Sequence, residues 1–462
     1  MKLLNHKNII FFISIIIVFV SCNLNSSDTT NVSDNATITA FYINDNDSSE
    51  DASSAVFTIT TGYDVDSIYN VDSLPYKTRV DSLIPSITTY STSGFIINDT
   101  LTYYLSVTKA IDFTKKVKIT NVATDGTSKK DYVIDLRVHK VDPYLHIWEK
   151  TNSIISSSIF ENQKAVFFKN KFYFYTGSEV GNYVYTSSDT RSWSNSNSVT
   201  GLPFGVSLQN IDTLNTTGNP QANTLYLISN KLLYVSSDGE NWSLKATDNK
   251  YDFIATLCQY QNRLYAVGQE KTTYSYRIIS SANGIDWEQT SNEFAQNFPI
   301  SGFGVTTFKP KYGSNKIVVV GGYNASGEKL NTRWTTEDGY YWVNLQHQKS
   351  PLSPIADVAL AYYGSKLLLI GGVNKENSIL VDTLQLSNSL DEGLTWTVPD
   401  TAQNKIPTTF KRRKKASIIL KRSEQALFII GGVGAGINEP LSDVWKVKVN
   451  YYGFKPEEWS KY

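Results

Sequence analysis

Ser236-Ser237-Asp238-Gly239-Glu240-Asn241-Trp242 is the most informative stretch of the chain, because variants of it return on both sides at near-regular intervals. They are Thr186-Ser187-Ser188-Asp189-Thr190-Arg191-Ser192-Trp193, Ser280-Ser281-Ala282-Asn283-Gly284-Ile285-Asp286-Trp287, Thr335-Thr336-Glu337-Asp338-Gly339-Tyr340-Tyr341-Trp342 and Ser389-Leu390-Asp391-Glu392-Gly393-Leu394-Thr395-Trp396. With Trp148 these indoles stand 45 to 55 residues apart. A short Asp or Asn side chain bonds the amides of its own turn, and glycine accepts positive φ without a Cβ penalty. Each copy therefore reads as a tight hairpin closed by an aromatic that packs sideways. In the first copy Thr190 stands where the others carry glycine. Repetition at this period means one supersecondary module used many times.

Between the indoles the chain supplies strands. Residues 252–260, 263–267, 276–281 and 286–290 form one four-stranded unit, which is the blade of a β-propeller. Residues 225–228, 316–320, 366–370 and 426–430 are apolar second strands of other units. Three of them run into a glycine pair: Gly321-Gly322, Gly371-Gly372 and Gly431-Gly432. Complete units end at Trp193, Trp242, Trp287, Trp342 and Trp396, and residues 416–420, 426–430 and 443–449 begin a sixth. A six-bladed propeller is thus expected over residues 143–462. Residues 145–149, around Trp148, are expected to supply the last strand and leave no open edge; the segment at Trp459 is the competing candidate.

The region upstream is of another kind. Lys2 and Lys7 precede an apolar run over residues 9–20, and Ser21-Cys22 follow. Residues 1–21 read as a secretory signal, too short for a comfortable transmembrane helix. Phe19-Val20-Ser21-Cys22 resembles a bacterial lipobox, which implies a lipid on Cys22 and attachment to a membrane through it. Residues 22–35, rich in Asn, Ser, Asp and Thr, read as a flexible tether. Residues 36–142 read as a separate β unit, with strands at 55–59, 94–97, 101–107, 117–122 and 132–141. The last two flank the turn Thr124-Asp125-Gly126-Thr127. That number of short strands suits an immunoglobulin-like β-sandwich. The fold class expected is therefore all-β: a sandwich followed by a propeller.

The Asp/Gly/Trp hairpins resemble the Asp-boxes of sialidases and other glycan-processing propellers, with Asp238, Gly239, Asp338 and Gly339 at the matching positions. The glycine pairs followed about a dozen residues later by Trp334 or Trp445 resemble Kelch repeats of galactose-oxidase-like propellers. Both resemblances imply architecture and not chemistry. Lipobox, small sandwich and mixed Kelch/Asp-box propeller together resemble a family of Bacteroidota lipoproteins of unknown function. That likeness implies an outer-membrane lipoprotein at the cell surface or on the periplasmic face.

Catalytic constellations are hard to find. The 43 basic and 43 acidic residues balance, so no electrostatic case exists for a nucleic-acid partner. The densest basic stretch, residues 411–415, reads as a solvated loop. A copper centre of the galactose-oxidase kind would need histidines near the ring axis, and only His6, His139, His146 and His347 occur. No paired His/Cys spacing suggests zinc, and no spacing nominates an arginine triad or a pair of catalytic acids. Neither metal nor cofactor is expected. Cys258, in a strand-like run, reads as a small buried side chain. The expected function is a non-enzymatic binding module for a glycan or protein ligand. A glycan-processing enzyme and a structural component of an outer-membrane complex are the alternatives. The binding face should be the one carrying the loops between second and third strands, with Tyr274, Tyr276, Tyr323, Lys329, Lys375 and Glu439 as candidates.

Overall fold

The structure is a computed structural model of the chain. It describes residues 32–44, 50–62, 65–99, 101–103, 109–154, 159–214, 223–290, 296–310, 313–345, 352–374, 376, 387–397, 401–437 and 439–450. The lipobox with Cys22, Lys375 and Trp459 lie outside the described residues. The chain divides into two units, Met1–Lys140 and Val141–Tyr462.

The first unit is a β domain. Its larger sheet runs in the order Phe57–Thr60, Asp66–Asn70, Lys129–Asp135, Val117–Val122, Gly94–Ile97, Leu101–Tyr103, and a two-stranded sheet pairs Ile38–Ile43 with Pro85–Thr89. Asp66–Asn70 pairs parallel with Lys129–Asp135, whereas the other pairs are antiparallel. Alternation decides what faces inward: Ile68, Ile119, Tyr132 and Ile134 are buried with Phe41, Phe95 and Phe113. The strand expected over residues 132–141 ends at Asp135 instead. Beyond it the chain bends to Leu74, whose amide reaches the Arg137 carbonyl at 2.9 Å while the His139 amide reaches the Leu74 carbonyl at 3.0 Å.

The second unit is a β-propeller of antiparallel sheets. Sheet 1 holds Asn162–Phe168, Lys171–Ser178, Gly181–Ser187 and Asn197–Ser198, in that order. Sheet 2 holds Ile211–Leu214, Thr224–Ser229, Leu232–Ser236 and Ser243–Leu244. Sheet 3 holds Tyr251–Tyr260, Arg263–Glu270, Tyr276–Ser281 and Glu288–Gln289, and sheet 4 holds Gly304–Phe308, Lys316–Val320, Arg333–Thr336 and Val343–Asn344. Among the described residues sheet 5 has three strands, Ala359–Tyr363, Lys366–Ile370 and Ser387–Ser389. Sheet 6 is built from Ser417–Lys421, Ala426–Val433 and Pro440–Val449, and His146–Lys150 pairs antiparallel as its fourth strand. First strands touch in a cycle: each meets the next, and Ser417–Lys421 meets Asn162–Phe168. The strand from the start of the unit thus pins its last sheet.

Apolar cores lie between successive sheets, and an indole stands in each. Trp242 packs with Tyr175 of sheet 1, Trp287 lies in the core with Tyr226 and Ile228 of sheet 2, and Trp334 and Trp342 lie with Tyr265 and Val267 of sheet 3. Trp396 packs on the core shared by sheets 4 and 5, Trp148 and Trp445 on that of sheets 5 and 6, and Trp193 on that of sheets 6 and 1. Aromatic burial of this kind is directional only in where the hairpin aims it, so the hairpins set the stacking.

Three glycine pairs tie sheet 4 to sheet 5, sheet 5 to sheet 6 and sheet 6 to sheet 1. All six pair glycines have φ between 61° and 103°, where a side chain would be strained. The freed amides reach across: Gly322 donates to the Ile355 carbonyl at 2.8 Å and Gly372 to the Arg413 carbonyl at 3.0 Å. At the seam Gly432 donates to Gln163 Oε1 at 3.0 Å, and Gln163 Nε2 donates to the Gly432 carbonyl at 3.1 Å. One side-chain amide there does what a backbone does elsewhere in the ring.

Candidate functional site

Because strands alternate in direction, the connections between second and third strands share one face of the propeller, and the Asp-box hairpins share the other. On the first face Tyr274 stands at the tip of the hairpin joining Arg263–Glu270 to Tyr276–Ser281, with three quarters of its surface exposed. Its backbone sits at φ 58°, uncommon for a non-glycine residue. Two bonds hold it there: its amide donates to the Glu270 carbonyl at 2.8 Å, and its carbonyl accepts from Gln269 Nε2 at 2.9 Å. Tyr276, at the start of the following strand, is half-buried.

Tyr323 and Lys329 meet in the corresponding loop of sheet 4. Lys329 Nζ lies 5.8 Å from the Tyr323 ring centre, and the Tyr323 hydroxyl donates to Asp357 Oδ2 at 3.3 Å. Burial, seconded by the Asp357 charge, pushes the phenol up to about 12. Glu439, in the loop of sheet 6, pairs with Lys411 at 2.7 Å and accepts the Gly436 amide at 2.9 Å. The Lys411 ammonium, followed by that amide, holds its carboxyl below the ordinary range. The structure thus joins Tyr323 to Lys329 and Glu439 to Lys411, while Tyr274 rises from a different sheet.

The basic stretch at residues 411–415 is not wholly a solvated loop. Arg413 is fully buried. Its Nη1 and Nη2 donate to Asp443 Oδ1 and Oδ2 at 2.7 and 2.9 Å, Nη1 also donates to the Gly431 carbonyl at 3.0 Å, and Nε donates to the Lys411 carbonyl at 3.0 Å. A guanidinium with every edge occupied is a strut, and the four lysines and arginines that flank it conceal that in the sequence.

The inner strands carry charges that sequence reasoning missed. Lys164 lies on Asn162–Phe168, Asp212 on Ile211–Leu214 and Cys258 on Tyr251–Tyr260, the neighbouring first strands of sheets 1, 2 and 3. Burial pushes Asp212 up to about 6, against the Thr213 amide at 2.7 Å and the Lys164 charge. Burial likewise pushes Lys164 down, against the Asp212 charge, and drives the Cys258 thiol well up. The available signal was a lone charge inside each short first strand. Among the described residues no group of three or more His, Cys, Asp or Glu side chains is placed to hold a metal.

On the opposite face the Asp-boxes share one geometry. In the second, Asp238 Oδ1 accepts the Glu240 and Asn241 amides at 2.9 and 2.8 Å, and the Ser236 hydroxyl accepts the Gly239 amide at 2.8 Å. Burial alone would raise this carboxyl, but those bonds, with Asn241 Nδ2 foremost, hold it at about 2. In the first box Thr190 occupies the glycine position at φ 63°, so the turn survives without glycine. Beside the fourth box an open groove of about 780 Å³ is bounded by Gln261, Lys309, Asn315, Glu337, Asp338 and Tyr341, among others.

Residues 142–457 match the DUF6242 beta propeller domain, and residues 22–136 match the DUF6242 N-terminal domain, a domain of unknown function. The chain belongs to the DUF6242 family. No curated protein sequence matches it. Solved structures similar to this DUF6242 chain include YjhT, at 12% identity and TM-score 0.43 over 64% of this chain and 97% of that one. The BP39L lectin from Burkholderia pseudomallei is 14% identical, TM-score 0.37, over 75% and 98%. An endo-arabinase from Bacteroides thetaiotaomicron is 11% identical, TM-score 0.32, over 64% and 96%.

Proposed function

We propose that this DUF6242 chain is a lipid-anchored, extracytoplasmic binding module for glycans and not an enzyme. Cys22 carries the anchor to the outer membrane, the N-terminal domain is an immunoglobulin-like spacer, and the propeller has six blades of mixed Kelch/Asp-box type. The closed cycle of first strands and the strand His146–Lys150 in sheet 6 support that blade number. Tyr274 carries the binding reading. An aromatic ring held out at a strained hairpin tip, with Thr273 and Glu270 beside it, offers a sugar both a stacking face and hydrogen-bonding groups. Tyr323 and Lys329 add a second aromatic–polar pair on the same face.

The test is a glycan array with the soluble chain starting at residue 23. Binding to at least one polysaccharide, weakened in Tyr274→Ala, is expected; no binding to any would overturn the reading. Radiolabelled palmitate should enter the wild-type chain in a bacterial host and not Cys22→Ser. Glycan processing is the second reading: Asp212 and Lys164 lie on adjacent, touching first strands, and burial raises the Asp212 carboxyl to about 6, toward the range of a general acid. Hydrolysis of a bound glycan that stops in Asp212→Asn would establish it.

A further inference from the structure

The residue before the closing tryptophan of each Asp-box is Ser192, Asn241, Asp286, Tyr341 or Thr395. Three of the polar ones turn back on the box. Asn241 Nδ2 donates to Asp238 Oδ2 at 2.7 Å, Thr395 Oγ1 donates to Asp391 Oδ2 at 2.5 Å, and Asp286 Oδ2 accepts from Asn283 Nδ2 at 2.8 Å. Tyr341 breaks the rule. Its amide still donates to Asp338 Oδ1 at 2.8 Å, but its ring leaves the turn and is 72% exposed. Asp338 Oδ1 also takes the Tyr340 amide and the Thr336 hydroxyl, and among the described residues Oδ2 takes no hydrogen bond. Ser192 likewise gives Asp189 only its amide, but Tyr341 alone puts an exposed aromatic ring at this position, and a repeat that departs from its own stabilising pattern in this way marks a place where something other than stability is served.

That departure borders the groove beside sheet 4. Its walls come from the turn at Gln261, the loop holding Lys309 and Asn315, and the Asp-box hairpin. The Tyr260 hydroxyl lies 2.6 Å from the carbonyls of both Asn315 and Glu337, donating to one of them, so its phenol joins one wall and abuts the other. Tyr340 meets the Tyr341 ring edge-on at 4.9 Å and props it. Lys316 is shared between Glu337, at 3.2 Å, and Glu392, so with Lys309 and Asp338 the surroundings carry one net negative charge, which disfavours an anionic ligand. An exposed ring, an unoccupied carboxylate oxygen and the side-chain amides of Asn315 and Gln261 are the groups that stack on a pyranose and bond its hydroxyls. The volume, about 780 Å³, suits several sugar units.

We propose that this groove is a binding site for a neutral oligosaccharide, with Tyr341 as its stacking platform and Asp338 Oδ2 as its hydroxyl acceptor. The proposal rests on the glycan reading above, but it lies on the face opposite Tyr274. Tyr341→Asn is the decisive variant, because it restores the box rule while removing the ring. The full chain, in detergent, is titrated calorimetrically with cellohexaose, xylohexaose, mannohexaose and maltohexaose. Wild type and Tyr341→Phe are expected to bind at least one of these alike. Tyr341→Asn should lose at least about tenfold in affinity while its melting temperature holds or rises, an outcome no structural role for the ring would produce. Wild-type affinity in Tyr341→Asn would overturn the groove and leave the glycan reading standing. Wild-type protein that binds none of the four would overturn the groove as a neutral-oligosaccharide site and leave the wider glycan reading to the array, and loss confined to Tyr274→Ala would move the site to the other face.

Discussion

Removing Asp443 should cost the propeller more than any surface charge could. Arg413 is fully buried, its guanidinium grips Asp443 through two bonds, and Asp443 Oδ2 also accepts Trp445 Nε1 at 2.7 Å. Phe410 lies against the guanidinium at 4.0 Å and Trp445 at 5.4 Å, so neither charge can turn to water. Asp443→Ala leaves a buried, unpaired cation, a loss of about 3–5 kcal/mol. For a unit of this size that is a fall of about 5–10 °C in melting temperature. Asp443→Asn keeps the shape but turns a donor toward a donor, and about 1.5–3 kcal/mol should be lost. The double variant Arg413→Met/Asp443→Leu buries no charge and should lie within about 2 kcal/mol of wild type. Burial would raise the Asp443 carboxyl, yet Arg413 holds it below the ordinary range. A depressed carboxylate stabilises above its unfolded value, so the gap between wild type and Asp443→Asn should close as pH falls below about 4. Urea unfolding followed by tryptophan fluorescence measures all of these. Asp443→Ala within about 1 kcal/mol of wild type would refute the reasoning.

Four further outcomes can be checked on the same preparation. A Cβ at Gly339 would run into the Tyr265 phenol at φ 74°, whereas one at Gly327, φ 78°, meets nothing within 4 Å. Thermal unfolding should therefore show Gly339→Ala losing about 2–4 kcal/mol and Gly327→Ala only about 1. Asp212 is raised on folding, so its contribution is complete below about pH 4 and lost as pH climbs through about 6. Stability should fall by about 2–3 kcal/mol across that window, and Asp212→Asn should flatten it in urea titrations. Cys258, 6% exposed with its thiol driven well up, should resist iodoacetamide at pH 8 until urea unfolds the chain, as mass spectrometry would show. A propeller begun at residue 151 loses the strand His146–Lys150 and the Trp148 bond to the Asn404 carbonyl at 2.7 Å. Sheet 6 is then left with an open edge, and its unfolding should lose cooperativity in calorimetry.

The all-β character and the repeating sheets were legible because their signals are local. An Asp-box is specified within about eight residues: the Asp bonds its own turn, and the indole follows at a set offset. Strands such as Tyr276–Ser281, Gly94–Ile97 and Val117–Val122 lie where alternation put them. The candidate face was legible only as a list of loops, and the structure distributes its tyrosines over different sheets.

What the amino-acid sequence determined by itself is the repeat and hence the propeller, since a hairpin that bonds its own amides needs no distant partner. Tertiary structure alone decided that Arg413 is a buried strut, that Gln163 joins the last sheet to the first, and that Tyr341 borders a groove. Each of those depends on which surface lies opposite. Opposing surfaces come from segments tens to hundreds of residues away, and no pattern within one repeat encodes them.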